Sequence, residues 1–258
     1  MLRRSMFLLK LFIISGCIFF LSCEHTSNPS STPAQGMVSW WEAEGNAGDR
    51  IGANDGVLEN GTSFGPGVRG RGFLFDGVDD YVEITGAPSL DLQSFTVDCW
   101  IFIDPAQSSQ EFNIFVSKND GSSAGGGFFL AHDDRNLPPG VLGAEPGETT
   151  NSLRFMVFES HSVMSRTFLT DAFPVAGFYH LAGAFDGSMA RLFLNGALVA
   201  TGGAIDSVAF NQFNLRFGAS YANEVYGIDD HFEGTIDEVR IFNRALSANE
   251  IQAMHNLY

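Results

Sequence analysis

The sequence has little positive charge relative to its negative charge. Its 258 residues contain 14 Lys and Arg against 30 Asp and Glu, which gives a formal net charge of −16. Three of the 14 cations lie in the first ten residues and all 30 acids follow residue 23, so residues 24–258 carry 11 cations and a net charge of −19. A protein that binds nucleic acid needs a basic face that displaces the counterions of the phosphates. The charge balance therefore excludes a nucleic-acid partner.

Cysteine is also scarce, and the sequence lacks the spacings of common zinc sites. The three cysteines are Cys17, Cys23 and Cys99, and no two of them form a Cys-x-x-Cys pair. The motif His-Glu-x-x-His is absent as well, so we expect no zinc site. Cys99 lies within an apolar strand pattern and is predicted to be a small residue of the core.

Phe and Gly, by contrast, are abundant. The chain contains 25 Phe and 29 Gly, and 45% of its residues are hydrophobic. A disordered chain does not carry this much apolar material. Aromatic segments interrupted by glycine favour strands and turns over helices, and single all-β domains often reach 200–250 residues. We therefore predict one all-β domain over residues 37–258.

The first 23 residues are typical of a secretory signal. Arg3, Arg4 and Lys10 precede an apolar run over residues 11–22. That run has 12 residues, fewer than the roughly 20 that a membrane-spanning helix needs. Two segments resemble the lipid-attachment box of bacterial lipoproteins, one ending at Cys17 and the other at Cys23.

We favour Cys23 as the lipidated residue because the apolar run stops there. Residues 24–36 are rich in Ser, Thr, Pro and Asn and are predicted to form a polar tether. The interpretation places the mature protein in the cell envelope, anchored to a bacterial membrane by lipid and exposed to the periplasm or the cell surface. An ordinary cleaved signal or an uncleaved anchor is the alternative. Cleavage before Cys23 would leave Cys99 as the only other cysteine, which excludes an intramolecular disulfide.

Alternation of apolar and polar residues predicts strands along most of the domain. Residues 94–104 place Phe95, Val97, Cys99, Ile101 and Ile103 on one face. Residues 191–201 read as a hairpin, since Asn195-Gly196 suits a type I′ turn. Further strands are predicted at 72–75, 81–84, 113–117, 127–132, 153–159, 179–185, 215–219 and 234–242. Strands at this density, joined by short turns, predict a sandwich or jelly roll.

One helix is expected, at the end of the chain. Ser247 and Glu250 have the spacing of a capping box, in which each side chain bonds the other residue's backbone amide. Ile251, Met254 and Leu257 would form the apolar stripe of the helix. Its expected role is to cover an edge or a face of a sheet.

Four separated motifs resemble the laminin-G-like, concanavalin A-like jelly-roll domains of secreted bacterial proteins. They are residues 38–61 with a Trp strand and an Asp-x-x-Gly-x-Asn-x-Gly loop, 70–84 with Phe-Asp-Gly-x-x-Asp-Tyr, 178–202, and the closing segment 232–251. Phe178 departs from the pattern, because the family usually has Trp there. The resemblance implies two antiparallel sheets packed face to face. It leaves activity open, since this fold carries lectins, adhesion modules, hydrolases and lyases.

No catalytic motif is found. Enzymes of this class that cleave β-glucans resemble one another in a Glu-x-Asp-x-x-Glu strand, which brings the two catalytic carboxylates to one face. That spacing does not occur here. Residues 121–125 match Gly-x-Ser-x-Gly, but no helix follows, as a nucleophile elbow requires. His180 stands where the family has a His and is interpreted as a packed, hydrogen-bonded strand residue.

Calcium is the metal that the sequence favours, in a structural role. Asp49 and Asn54 lie in a glycine-containing loop that offers oxygen ligands. The resemblance implies that the two ends of the domain meet, which would add Asp237 to the same site. The alternative is that Asp49 and Asn54 accept hydrogen bonds from turn amides and that Asp237 pairs with an arginine such as Arg240 or Arg244. A second acidic group, Asp76, Asp79 and Asp80, is interpreted as a polar turn before Tyr81.

The sequence therefore predicts a non-catalytic, lipid-anchored binding module. Its expected partner is an extracellular glycan or a surface protein, in carbohydrate binding or adhesion, with the membrane contacted through the lipid alone. A glycoside hydrolase or polysaccharide lyase of the same fold is one alternative, and a structural module of an envelope assembly is another. Candidate ligand-binding side chains in the longer connections, among which the sequence does not choose, are Phe112, Asn119, Asp120, Tyr221 and Tyr226.

Overall fold

A computed structural model describes residues 35–104, 106, 112–119, 126–134, 151–160, 163–210, 213–223 and 227–258. These residues belong to one compact unit. The predicted signal and lipidation site, most of the tether and the Gly-x-Ser-x-Gly motif at 121–125 lie outside the described residues. Lipidation at Cys23 therefore stays a prediction.

The first sheet, called sheet A, has eight strands. They are β1 (Met37–Trp41), β3 (Ser63–Pro66), β4 (Arg71–Asp76), β6 (Phe95–Ile103), β11 (Gly177–Phe185), β12 (Met189–Leu194), β13 (Ala197–Ala204) and β17 (Glu233–Phe242). Their spatial order is β13-β12-β11-β6-β17-β4-β3, and β1 also pairs with β17. All pairs are antiparallel. The centre of the sheet thus joins strands that are far apart in sequence.

The second sheet, called sheet B, has seven antiparallel strands in the order β10-β9-β8-β7-β14-β5-β2. They are β2 (Val57–Glu59), β5 (Tyr81–Ile84), β7 (Phe112–Lys118), β8 (Gly127–Asp133), β9 (Ser152–Ser160), β10 (Val163–Leu169) and β14 (Leu215–Phe217). A separate two-stranded ribbon is formed by β15 (Ser220–Asn223) and β16 (Gly227–Asp229). The predicted all-β jelly-roll sandwich is confirmed.

The core lies between the two sheets and is built by the predicted alternation. Every inward residue of β6 is buried, including Cys99, whose thiol is free as expected. Phe95 of sheet A packs on Phe128 of sheet B with ring centroids 4.7 Å apart, and Trp41 meets Phe217 edge to face at 5.1 Å. Such aromatic pairs add to the stabilisation that burial already supplies. The high Phe content therefore fills the space between the sheets.

The hairpin between β12 and β13 has the predicted turn. Asn195 and Gly196 both have positive φ, 48° and 78°, as a type I′ turn requires. The Asn195 side chain also accepts a hydrogen bond from the His180 amide at 3.0 Å. The turn thus secures the neighbouring strand β11 as well as the hairpin.

The helix α1 spans Ala248–His255 and begins with the predicted capping box of Ser247 and Glu250. Ile251 and Met254 pack on Phe193 and Phe242 of sheet A. Leu257 does not share this stripe: it lies beyond the helix and is 60% exposed. The helix covers part of the outer face of sheet A, the face turned away from the core.

Several strands were not expected from the sequence. Four of them, β2, β3, β15 and β16, have only three or four residues, and Ser63–Pro66 contains both Gly and Pro, whereas the fifth, β10, has seven residues. Such segments carry weak alternation and become strands through pairing with a stronger neighbour. In the described ranges, none of the helical segments has the length and hydropathy needed to cross a bilayer.

Candidate functional site

The part of sheet A that the helix leaves uncovered forms an open depression, here called the outer groove. It has a volume of about 480 Å³. Five strands and their ends line it, through Pro66, Leu74, Phe75, Asp76, Phe102, Asp104, Phe178, Glu233, Gly234 and Thr235. Strand register explains the assembly, because Phe102 of β6 lies opposite both Phe178 of β11 and Thr235 of β17.

Two aromatic rings form one wall of the outer groove. Phe102 and Phe178 are half-buried and meet edge to face, with centroids 5.2 Å apart and planes at 64°. Leu74, on the other side of Thr235, is 39% exposed. An exposed apolar surface of this kind marks a ligand site more often than an isolated exposed residue does.

Carboxylates complete the lining of the outer groove. Asp76 of β4 lies directly opposite Glu233 of β17, and Asp104 follows β6. The lining residues, all within the described part of the chain, include three carboxylates and no Lys or Arg. Carboxylate oxygens accept hydrogen bonds from hydroxyl groups and repel anions. The groove is therefore suited to a neutral, hydroxyl-rich ligand with an apolar face.

Beside the groove lies a buried cluster of charged side chains. The His180 ring nitrogen Nε2 is 2.7 Å from Asp98 Oδ2, and Arg240 Nη1 donates to Asp98 Oδ1 at 3.2 Å. Arg240 also contacts Glu238 and the hydroxyl of Tyr258. Burial raises the pKa of Asp98, but His180 and Arg240 outweigh it and hold that pKa below its usual value.

This cluster supports the interpretation of His180 as a packed strand residue. The His180 side chain is fully buried and hydrogen-bonded to Asp98, and Trp100 and His255 lie against its ring. Arg240 and Arg244, the alternative partners of Asp237, pair with other carboxylates. Arg240 pairs with Asp98, and Arg244 pairs with Glu250.

The residues predicted to hold calcium lie in two elements: Asp49 and Asn54 in the loop after β1, and Asp237 in strand β17. Asp49 Oδ1 accepts hydrogen bonds from the amides of Trp40, Ile51 and Gly52, each at 3.0 Å. Burial opposes ionisation, but the amides of Gly52 and Trp40 lower the pKa of Asp49. Asn54 donates its side-chain amide to Asp49 Oδ2 at 3.3 Å. Asp49 thus accepts from the turn amides, as the alternative interpretation predicts, whereas the Asn54 Oδ1 accepts from the Ser89 hydroxyl at 2.8 Å.

Asp237 contacts a different loop. Its Oδ2 accepts from the Arg69 amide at 3.2 Å, while its buried Oδ1 has no hydrogen-bond partner. Burial raises the pKa of Asp237 to about 7, with Glu238 and Glu44 adding to the effect. A buried carboxylate oxygen without a hydrogen-bond partner is a suitable ligand for a cation. Calcium at Asp49, Asn54 and Asp237 stays a prediction.

A second aromatic surface lies on the outer face of sheet B. Phe129 is flanked by Phe112 at 5.8 Å and Phe158 at 5.6 Å between ring centroids. Of the other side chains suggested by the sequence, Tyr221 lies under Arg216 and Asn119 accepts from Ser220. Asp120 and Tyr226 lie outside the described residues.

Sequence reasoning did not identify the outer groove. The sequence marks Phe178 as a departure from the family pattern, but nothing in it links Phe178 with Phe102. The signal that could have done so is their shared position on adjacent strands. That position depends on the pairing of β6 with β11, which the local sequence does not specify.

Comparisons with known proteins agree with this architecture. The profile of the concanavalin A-like lectin/glucanases superfamily matches residues 76–252. A sequence search of curated proteins finds no match. Among solved structures, domain 4 of AbnA, a GH43 extracellular arabinanase from Geobacillus stearothermophilus in complex with arabinotriose, is 15% identical. The superposition covers 85% of this chain and 98% of that domain, with a TM-score of 0.61.

Binding domains of botulinum neurotoxins are also similar in structure. Two of them are the DC binding domain in complex with SialylT and the same domain in complex with rat synaptotagmin II. Each is 14% identical, with TM-scores of 0.61 and 0.63, and 86% of this chain is covered. The chain spans about half the length of these domains, 51% in both cases. At such identities the likeness is one of fold.

Proposed function

The chain belongs to the concanavalin A-like lectin/glucanases superfamily, and from that premise we propose that it is a non-catalytic carbohydrate-binding module of the bacterial envelope. The observation that carries the proposal is the outer groove, which is lined by two half-buried phenyl rings and by three carboxylates. A sugar ring presents C–H groups on one face and hydroxyls around its edge. Phe102 and Phe178 would contact the apolar face, and Asp76, Asp104 and Glu233 would accept hydrogen bonds from the hydroxyls.

The charge of the groove narrows the class of glycan. Three carboxylates with no lining Lys or Arg, among the residues described, would repel a uronate or a sialylated sugar. We therefore propose neutral oligosaccharides as ligands. The AbnA domain, which has a similar fold, is seen with the neutral sugar arabinotriose. With Cys23 lipidated, the groove would be held at the membrane and exposed to the periplasm or the cell surface.

The test is binding of the purified protein to neutral and acidic oligosaccharides, followed by titration calorimetry on the best ligand. Replacing Phe178 by Ala should weaken binding at least tenfold, about 1.4 kcal/mol, because the apolar contact is lost. Phe129→Ala on sheet B removes a half-buried ring of the same size and serves as the control. Binding that survives Phe178→Ala but is lost in Phe129→Ala would place the ligand on the other sheet.

The same preparation tests the absence of catalysis. Glycoside hydrolysis generally needs two carboxyl groups about 5–9.5 Å apart across a sugar, and Asp76 and Glu233 are cross-strand neighbours. We expect no release of reducing ends or unsaturated products from any glycan that binds. Product formation by the wild type, lost in Asp76→Asn and Glu233→Gln, would make the protein a hydrolase or lyase. Binding to a surface protein with no glycan bound would favour the adhesion or assembly alternatives.

A further inference from the structure

The C-terminal end of α1 covers an aromatic side chain next to the outer groove. Trp100 precedes Phe102 by two residues in β6, so both side chains lie on the outer face of sheet A. His180 lies opposite Trp100 on β11, as Phe178 lies opposite Phe102. The two cross-strand pairs are therefore adjacent, and Trp100 continues the aromatic wall of the groove toward the helix.

Residues 255–258, here called the lid, close over Trp100. The His255 ring stacks on the indole, with ring centroids 5.4 Å apart and planes at 24°, and Tyr258 meets the indole edge to face at 5.9 Å. Trp100 is consequently only 6% exposed. The hydroxyl of Tyr258 accepts a hydrogen bond from Arg240 of β17. The lid thus spans the outer face from the last turn of α1 to β17.

The ring nitrogens under the lid are not satisfied in the closed position. Within the described part of the chain, Trp100 Nε1, His180 Nδ1 and His255 Nδ1 are buried without a hydrogen-bond partner. Buried polar atoms usually have a partner, and each one without a partner costs free energy. Opening of the lid would give these nitrogens access to water or to a ligand. The closed position therefore has a built-in cost that the ring contacts must offset.

A positive charge on His255 is unfavourable in the closed position. The ring centroid of His180 lies 5.5 Å from that of His255, and the nearby carboxylate of Asp98 is already shared by His180 and Arg240. The end of a helix favours a cation, but burial, and next the charge of His180, lower the pKa of His255 from its ordinary value of 6.5. The closed position is thus favoured at neutral pH, and the preference is lost as the pH falls below about 6.5.

Other ionisable side chains lie around Trp100 and Tyr258. Glu238 and Arg240 of β17 pair with each other, and Arg69 interacts with the Tyr258 hydroxyl. Asp237 lies opposite Trp100 on β17, and burial raises its pKa to about 7. Asp237 therefore changes charge in the same pH range as His255 and needs its own control.

The start of α1 is held by contacts that do not change in this range. Arg244 pairs with Glu250 and, together with the Ser247 amide, lowers the pKa of Glu250 to about 2. Ile251 and Met254 are buried against the sheet. The helix therefore stays docked by its start and its apolar face while residues 255–258 are free to separate from Trp100.

From this geometry we propose that residues 255–258 are a lid that opens on acidification and adds Trp100 to the outer groove. The ligand class is the neutral oligosaccharide proposed above, so the binding role of Trp100 rests on the proposed function. The uncovered indole would offer a flat apolar face in line with Phe102, and its Nε1–H would donate to a sugar hydroxyl. A longer stretch of glycan would then contact the sheet at acidic pH than at neutral pH.

The lid is tested without glycan, by hydrogen exchange of the purified protein followed by NMR at about pH 7.5 and about pH 5. Rates are compared with the intrinsic rate at each pH. We expect the Trp100 Nε1–H and the amides of residues 255–258 to lose at least tenfold of their protection at the lower pH. The Trp41 Nε1–H, which donates to the Asn54 carbonyl at 2.9 Å, is the internal control and should stay protected.

Two variants separate His255 from the rest of the chain. His255→Phe keeps a ring on Trp100 but takes up no proton, so protection of the lid should be equal at the two pH values. His255→Gln, a smaller uncharged side chain, answers the same question if the phenyl ring does not fit. Asp237→Asn removes the other group that titrates in this range and should respond to pH as the wild type does.

Equal protection of the wild-type lid at both pH values would overturn the proposal. So would opening at about pH 5 that persists in both His255 variants, or a loss of protection that includes the Trp41 Nε1–H, since that would be general unfolding.

Calorimetry with a neutral oligosaccharide tests the role of Trp100 in binding. At about pH 5, the wild type should bind at least threefold more tightly than His255→Phe, and at about pH 7.5 the two should be equal. Opening of the lid without this gain would refute the role of Trp100. Absence of glycan binding at both pH values would refute the proposed function and that role with it, whereas hydrogen exchange would still decide whether the lid opens.

Discussion

Asp98, His180 and Arg240 place three ionisable side chains on sheet A with almost no exposure to solvent. Removing such groups from water is costly, and their mutual attraction offsets the cost only while all partners are present. The backbone amide of His180 also donates to the Asn195 side chain in the turn between β12 and β13. His180 is thus held by Asp98 through its ring and by this turn through its backbone. At the scale of the residue, we expect this cluster to contribute to the stability of the fold.

The buried cluster leads to a prediction about Asp98. Asp98→Asn keeps the shape of the side chain and removes its charge, so we expect unfolding to become easier by about 3–5 kcal/mol, measured by chemical denaturation at pH 7. Because the pKa of Asp98 is lowered in the folded protein, its contribution is present at neutral pH and is lost as the pH falls through the folded pKa.

Asp186→Asn is the matched comparison for Asp98→Asn. Asp186 pairs with Arg191 at 2.8 Å, but both side chains are 34% exposed. An exposed ion pair contributes about 0–1 kcal/mol, so this variant should differ little from the wild type. An equal loss of unfolding free energy in the two variants would show that burial of the Asp98 cluster is not the cause of the destabilisation.

At the scale of the element, α1 shows how a short helix is held by its ends and one face. Its capping box satisfies amides of the first turn, and Arg244 forms two hydrogen bonds with Glu250. The hydrogen bonds from the Arg244 side chain, and next the hydrogen bond from the Ser247 amide, lower the pKa of Glu250 to about 2. An eight-residue helix is marginal alone, so these contacts and the packing of Ile251 and Met254 keep it on the sheet.

We therefore predict that Ser247→Ala lowers stability by about 1 kcal/mol and that Glu250→Gln lowers the melting temperature at pH 7. The folded pKa of Glu250 is below its unfolded value of 4.5, so its charge stabilises above pH 4.5 and the effect is lost as the pH falls toward 2. Melting curves at several pH values check this. A Glu250→Gln effect that is as large near pH 2 as at pH 7 would rule out the charge as its cause.

At the scale of the whole molecule, the domain places its groove on the face of sheet A that α1 leaves uncovered. The predicted lipid anchor at Cys23 would hold the domain at a membrane through the polar residues 24–36. A tether of this composition gives reach without fixing an orientation. Such an arrangement suits a module that captures a ligand near the membrane surface.

The anchor is tested by fractionation of cells that produce the full chain. Cys23→Ser should release the protein from membranes or block its processing, because the acylated residue is lost. Cys17→Ser is the matched control and should remain membrane-bound. The reverse outcome, release of Cys17→Ser with Cys23→Ser retained, would move the lipidation site to Cys17.

Much of the architecture could be predicted because its signals are local. Alternation in residues 94–104 identified β6 and its inward face, and Asn195-Gly196 identified the hairpin turn. The Ser247 and Glu250 spacing identified the start of the helix. These features follow from backbone geometry within a few residues, so the amino-acid sequence determines them by itself.

The candidate sites depend on pairings that only the tertiary structure decides. Asp76 and Glu233 are neighbours because β4 pairs with β17, and Phe102 meets Phe178 because β6 pairs with β11. Asp49 and Asp237, for which the family resemblance implies a shared calcium ion, accept from the amides of different loops, and the shared ion stays a prediction. Alternation tells which face a side chain takes, but the register between distant strands determines its neighbours, and that register is set by the packing of the whole sandwich.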